Sequence, residues 1–263
     1  MIKKLEIKVE GDEIIMKAVL FDLDGVIIDT ERVGHRVAFN EAFAKCGYPD
    51  VVWEEDFYHQ LLQVGGGKER TKYYFSKYYT GTNPPEDMDE FAKRMHQLKT
   101  DIFVQKLSSL PLRPGVHRFM TEWKNKGVKM GICTTSNERV AETVGKKILH
   151  DIPFEVIIAG DMVKTKKPAP DIYMMAMEML HVSPKETLVI EDSHIGVTAA
   201  KAAGCVVLAT YNGYTQGEDL SEADFLVSCL GDPDGERAHV VRGLYPVGKE
   251  GVVRASDFTT HHS

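Results

Sequence analysis

Residues 18–30 read AVLFDLDGVIIDT, and the fold turns on how this stretch is parsed. Ala18–Phe21 is a continuous apolar run, too short for an ordinary globular helix and of a length that suits a buried strand. It stops at Asp22-Leu23-Asp24-Gly25, so two carboxylates stand two residues apart where a strand yields to a turn. Taken alone, the pattern fits a plain strand with an Asp-Gly turn. Open α/β sheets, however, bind ligands outside the carboxyl ends of their strands. Later strands end in chemistry that complements two acids.

Downstream, strand and helix signals alternate through 110–209. The turn LPLRPG at 110–115 leads into a helix presenting Val116, Phe119, Met120 and Trp123. A strand over 128–133 ends at Thr134-Thr135-Ser136, and Thr135 with Glu138 forms a capping-box pattern. The next helix carries Val140, Val144 and Ile148 on one face, and 155–159 reads as a third strand. Residues 168–171 open a helix expected to turn Ile172, Met175, Ala176 and Met179 inward. A second capping box, Ser183 with Glu186, precedes a strand over 188–190 that ends in Glu191-Asp192-Ser193. A small-residue helix reaches Gly204, 205–209 is a fifth strand, and 224–227 is expected to be an edge strand. This alternation predicts an α/β fold, a three-layer, Rossmann-like core with a parallel sheet and right-handed connections.

Between the first strand and this core the signal is helical. Asp29 or Thr30 is placed to cap a helix running to about Cys46, with Val33, Val37, Phe39, Phe43 and Ala44 on its apolar side. Phe91, Met95, Leu98 and Ile102 fall at three- and four-residue steps, an apolar stripe. The reading is a helical cap domain over 33–105, inserted after the first core strand, with 1–32 and 106–263 forming the core. Upstream, 5–9 reads as a peripheral strand followed by a Gly11-Asp12 turn, too polar in its alternation for a signal peptide.

The 32 Lys plus Arg against 39 Asp plus Glu give a net charge of −7, which argues against nucleic acid as a partner. No apolar stretch suggests a membrane span, and nothing implies a protein partner. Cys46, Cys133, Cys205 and Cys229 lack metal-site spacing. Cys133 and Cys205 sit in apolar runs, as reduced core residues of a reducing compartment do.

Three strand ends therefore converge: Asp22 with Asp24, Thr134 with Ser136, and Glu191 with Asp192, joined by Lys167 from a loop. Carboxylates from two strand ends are oxygen ligands for a hard cation such as Mg²⁺. Hydroxyls at a helix N-terminus and a lysine complement a phosphate dianion. The nucleophile that fits this company is a carboxylate, with a second acid as proton donor and acceptor.

In these residues the chain resembles the haloacid-dehalogenase-type phosphohydrolases along nearly its whole length. Their four motifs match Asp22-Leu23-Asp24-Gly25-Val26, Thr134, Lys167 and Glu191-Asp192. The resemblance implies Asp22 as nucleophile and metal ligand, and Asp24 as acid/base, binding the metal through its main-chain carbonyl. It implies Thr134 and Lys167 as phosphoryl holders, Asp192 as a direct Mg²⁺ ligand, and Glu191 as a ligand directly or through water. In the cap, Gly65-Gly66-Gly67-Lys68-Glu69-Arg70 begins a predicted helix whose N-terminus, with Lys68 and Arg70, suits a second anion. With the segments DTERVGHRVAFN, LPLRPGV and TTSNER, it resembles the Calvin-cycle-associated xylulose-1,5-bisphosphate phosphatase branch, its plastid form in particular. That implies hydrolysis of a sugar bisphosphate to xylulose 5-phosphate. Glu31, His35, Gly66, Gly67, Lys68, Arg70, Thr135, Ser136 and Asn137 would then contact the phosphorylated sugar. The expected location is the cytoplasm, or the plastid stroma in a photosynthetic eukaryote.

The rival is a β-phosphoglucomutase-like phosphosugar mutase, which shares the cap and all four motifs. Mutases of that group place a cap histidine twelve residues after the nucleophile. Here Gly34 holds that position and His35 follows, a shift of about 100° on an α-helix. A phosphatase for another small sugar phosphate would share the whole core. A non-enzymatic phosphosugar-binding regulator would have lost nucleophile or metal acids, and none is lost.

Overall fold

Ala18–Phe21 is wholly buried, and in this computed structural model it is an interior strand of a seven-stranded sheet, the third across it. Residues 16–64, 66–160, 162–243 and 247–258 are described; the strand expected over 5–9, the Gly11-Asp12 turn and Gly65 lie outside them. The strands are β1 (Ala18–Phe21), β2 (Lys129–Cys133), β3 (Val156–Ile158), β4 (Thr187–Glu191), β5 (Val206–Thr210), β6 (Phe225–Val227) and β7 (Val240–Arg242), in the sheet order β3-β2-β1-β4-β5-β6-β7. All pairings are parallel except β6 with β7. The chain divides into two compact units, one of the residues up to Asp29 and from Pro111 on, the other spanning Thr30–Leu110.

In the sheet unit, period-2 alternation sends Ala18 and Leu20 to one face and Val19 and Phe21 to the other. The first face packs with Val189, Val207 and Ala209 on α7 (Asp171–Leu180) and α8 (His194–Ala202). On the other, Phe21 meets Phe119 of α5 (Val116–Asn125) edge-on, ring centroids 6.4 Å apart. Helices thus cover both faces, as a parallel sheet requires. α5 buries the four residues expected of it, Val116, Phe119, Met120 and Trp123, each contributing about 1.5–3 kcal/mol.

Three expectations change. Residues 225–227 are not the sheet's edge: β7 adds antiparallel outside them, and Phe258 packs on Phe119, Trp123 and Phe225. α7 buries Ile172, Tyr173, Ala176, Met177 and Leu180, whereas Met179 is exposed. Asn137, not Thr135, caps α6 (Glu138–Thr143), its side-chain oxygen accepting from Val140 N at 3.0 Å. The Ser183–Glu186 capping box forms as expected.

The helical unit holds α1 (Arg36–Lys45), α2 (Glu55–Leu61), α3 (Gly67–Lys77) and α4 (Met88–Leu107). Its core is aromatic: Phe39, Phe43, Trp53 and Tyr58 are fully buried and in mutual ring contact. Ala44 faces solvent. α4 buries Phe91, Met95 and Ile102 as expected, but Lys99 takes the interior place assigned to Leu98. α1 begins without a Thr30 side-chain cap, because a π-helical turn, Glu31–His35, precedes it.

Candidate active site

Each strand end delivers one component of a buried polar cluster. Asp22 leaves β1 with its N–H on Ile190 O at 3.0 Å, which keeps it in line with β4 although its own strand has ended. Lys167 Nζ donates to Asp22 Oδ1 and to Glu191 Oε1, both at 2.6 Å, and to Cys133 O at 2.9 Å. Tyr173 donates a short hydrogen bond to the same Glu191 oxygen. Asn212, beyond β5, donates to Asp192 Oδ2 at 2.7 Å. The Asp24 carboxylate is turned to the end of β2, where it accepts from Ser136 Oγ at 2.5 Å and from Thr134 Oγ1 at 3.5 Å. Thr134 is fully buried, and its oxygen also accepts from Ser136 N at 3.0 Å.

This packing crowds like charges. Burial first, then Glu191 and Asp24, push Asp22 up to about 8 against the pull of Lys167. Asp192 is raised well above the carboxylate range by burial and by Asp22 and Glu191. For Lys167, burial acts downward, but the Asp22 and Glu191 carboxylates prevail and raise it. Oxygens of Asp22, Glu191 and Asp192 lie within 4.8 Å of one another, and all three residues are buried. Together they can hold a divalent cation. That donor set is all oxygen, which suits a hard ion, and a dication would relieve the repulsion that raises the acids. Gly25 (φ +81°) lets the main chain pass the cluster, since a Cβ there would lie 2.0 Å from Asp192 Oδ2.

Of the residues expected in the core site, Asp22, Lys167, Glu191 and Asp192 come together directly. Asp24, Thr134 and Ser136 form an adjoining group, Thr135 is exposed, and Asn137 commits its oxygen to the helix cap. Tyr173 and Asn212 were missed. Tyr173 stands in the KPAPDIY run beside Lys167, a proximity that marks it only in retrospect, and Asn212 carries no sequence signal.

The residues expected of the helical unit gather around its aromatic core. Tyr58 donates to Glu31 Oε2 at 2.5 Å, and Arg70 donates to Tyr58 Oη at 3.2 Å and to Leu61 O at 3.0 Å. Arg70 is therefore buried structure, not the exposed cation its motif suggests. Lys68 is exposed beside Gly66 and Gly67, where α3 starts without a side-chain cap. Lys99, buried against the Phe39 and Phe103 rings, lies 2.9 Å from His35 Nδ1. Burial, then the Lys99, Arg70 and His96 charges, hold the His35 imidazole well below its ordinary pKa. Glu31–His35 is a π-helical turn, so the offset of about 100° per residue expected on an α-helix does not describe the step from Gly34 to His35. Gly34 fits there because a Cβ would meet Phe103 at 2.6 Å.

The haloacid dehalogenase-like hydrolase family profile matches residues 16–204. The chain belongs to that family. Among its relatives, a CBBY-like protein of Arabidopsis thaliana is 43% identical over 227 residues, 84% of this chain and 71% of the relative. The crystal structure of CbbY from Rhodobacter sphaeroides in complex with phosphate shares 35% identity and a TM-score of 0.69 over 82% of this chain and 95% of that one. A mutant of that CbbY, crystallised with xylulose-(1,5)bisphosphate, gives a TM-score of 0.68 at 35% identity, covering 82% of this chain and 95% of its own. The β-phosphoglucomutase of Bacillus subtilis is 29% identical over 85% of this chain and 94% of its own length.

Proposed function

We propose that the chain is a Mg²⁺-dependent phosphatase that hydrolyses xylulose-1,5-bisphosphate at its 1-phosphate, releasing xylulose 5-phosphate and phosphate. The observation that carries the reaction type is the Asp22–Lys167–Glu191 cluster with Asp192, flanked by Asp24 on Ser136 and Thr134. Two facts support the substrate: a 35% identical CbbY crystallised with that bisphosphate, and a helical unit that concentrates cations.

In the mechanism, an Asp22 carboxylate oxygen attacks phosphorus as the P–O bond to the sugar breaks. Asp24 gives its proton to the leaving alkoxide. Asp24, now ionised, takes a proton from water, whose oxygen attacks the phosphoryl group; phosphate leaves and the Asp22 carboxylate is restored. Lys167 and the Thr134 hydroxyl hold the phosphoryl oxygens as charge builds on them. Asp22, Glu191 and Asp192, with the Asp24 main-chain carbonyl, would hold Mg²⁺, which supplies neutralisation of the phosphoryl charge. The reading assigns Lys68, with Gly66 and Gly67 at the α3 N-terminus, to the second phosphate, and Glu31, His35, Thr135, Ser136 and Asn137 to contacts with the sugar.

All four cysteines are free thiols, as in a reducing compartment, the cytoplasm or a plastid stroma. Among the described residues no helix is long and apolar enough to cross a membrane.

The mutase reading retains one specific support: His35 lies in a π-helical turn, where the α-helical offset from Gly34 does not apply. One assay separates the two. The protein and Mg²⁺ are incubated with xylulose-1,5-bisphosphate, ribulose-1,5-bisphosphate, fructose-1,6-bisphosphate, β-glucose 1-phosphate and 2-phosphoglycolate, and free phosphate and sugar product are measured separately. Phosphate release is expected to be fastest from the first. Isomerised glucose phosphate without net release would establish the mutase instead.

A further inference from the structure

Arg113 stands in the LPLRPGV run that leads into α5. Its guanidinium is half-buried among main-chain carbonyls and one hydroxyl. Nη1 donates to Gly25 O, in a short bond, to Thr210 O at 2.9 Å and to Thr210 Oγ1 at 3.0 Å. Nη2 donates to Tyr211 O and Ser228 O, both at 2.7 Å. These acceptors lie at the end of β5 and in the loops after β1, β5 and β6. A forked, planar cation suits this set of acceptors, whereas an ammonium could reach only part of it.

Two arms lead from these acceptors to one carboxylate. Gly25 packs so closely on Asp192 that a Cβ would lie 2.0 Å from its Oδ2. Asn212, next after Tyr211, donates to the same Oδ2 at 2.7 Å. Arg113 thus grips the backbone on both sides of Asp192 without touching it. It also sits on the segments that enter and leave Thr30–Leu110. Its own N–H donates to Ile27 O at 2.9 Å, and Ile28 bridges Leu112.

We propose that Arg113 is a positioning residue that sets Asp192 for the divalent cation and fastens the two connecting segments to the metal-side loops. The inference rests on the phosphatase reading only for the identity of the cation. A strain imposed on either connecting segment is transmitted through one guanidinium to Gly25 and Tyr211, and from them to Asp192.

The test compares Arg113→Met with Arg118→Met, whose arginine also donates to three main-chain carbonyls, Leu230 O, Gly231 O and Val253 O, remote from the metal acids in sequence. Both variants should lose thermal stability. Mn²⁺ binding without substrate, read by electron paramagnetic resonance, should weaken about tenfold or more in Arg113→Met and stay unchanged in Arg118→Met. KM for the bisphosphate at saturating metal should shift less than twofold. Wild-type Mn²⁺ affinity in folded Arg113→Met overturns the proposal. If that variant does not fold, Arg113→Lys replaces it, with the same loss expected and the same outcome fatal. A wild-type protein that binds Mn²⁺ but hydrolyses no phosphosugar would refute the phosphatase reading and leave Arg113 to be judged on binding alone. A wild-type protein that binds no Mn²⁺ refutes both.

Discussion

Asp22, Glu191 and Asp192 crowd a buried pocket of the sheet unit around the Lys167 ammonium, whereas the helical unit gathers Lys99, Arg70, His35 and His96 about Phe39 and Phe103. The first cluster raises its acids and the second lowers its imidazoles. Burial is the first cause of each shift, and neighbouring charges of like sign add to it: Glu191 on the acids of the sheet unit, Lys99 on the imidazoles of the helical unit. The comparison also separates two ways of building a site. The sheet unit delivers single residues from strand ends to one point, while the helical unit ties its cations into hydrogen bonds that hold the unit together.

The largest effect should come from the nucleophile. Asp22→Asn keeps the shape and an acceptor for Lys167 but cannot form the acyl phosphate, so turnover should fall more than about a thousandfold with an unchanged circular dichroism spectrum. Near-normal activity would remove Asp22 from its role and break the charge argument for the sheet unit.

Next comes a split within the helical unit. Lys68 is exposed, so Lys68→Ala should raise KM for the bisphosphate about tenfold and leave monophosphates and melting temperature alone. Arg70→Ala should instead destabilise the protein by about 1–3 kcal/mol, since Leu61 O loses its side-chain donor and the buried Tyr58 hydroxyl keeps Glu31 but loses the guanidinium. Thermal melts with kinetics on both substrate classes check this. Equal losses on bisphosphates and monophosphates in Lys68→Ala would remove the second-anion argument.

What could be read from sequence follows the same division. Lys167 was legible from the KPAPD run that opens a helix, while Asp22, Thr134, Glu191 and Asp192 were legible because an apolar run that stops at an acid or hydroxyl marks a strand end, and α/β sheets put their chemistry there. The strands β1 to β5 were legible for the same reason. Tyr173 was hidden because α7 is apolar nearly all round, with Met174, Met175, Met177 and Met179 leaving no contrast between faces. Lys99 was hidden because hydropathy assigns the interior to Leu98, while two aromatic rings make room for an ammonium. Arg113 and Asn212 act through loops far apart in the chain, a relation no local pattern encodes. The strand β7 depends on pairing with β6, and its short run, VVR, gives little warning.

Gly34 offers a sharper test of the helical unit. Gly34→Ala forces a Cβ to 2.6 Å from Phe103, which is itself buried, and should cost about 1–3 kcal/mol. Deleting Gly34 should cost less, because the turn can relax from π to α and leave the flanking residues in register. Chemical denaturation of the two variants ranks them. A deletion more damaging than the alanine would show that the extra residue is not absorbed by the π turn.

The smallest effect concerns His35 and pH. Its folded-state pKa lies well below the ordinary histidine value of 6.5, because burial and the Lys99, Arg70 and His96 charges oppose a second proton on the ring. Below that value the unfolded chain takes up a proton that the folded chain refuses. This residue's contribution to stability is therefore complete above pH 6.5 and declines as pH falls, by up to about 1.4 kcal/mol per pH unit. Lys99→Met removes a cation 2.9 Å away and should move the His35 titration back toward 6.5, flattening the decline. Imidazole NMR titration of both proteins, with denaturation between pH 5 and pH 7, measures the two sides of the linkage. If His35 titrates near 6.5 in the unaltered protein, the helical unit does not carry the positive imbalance on which its role as the anion-binding partner depends.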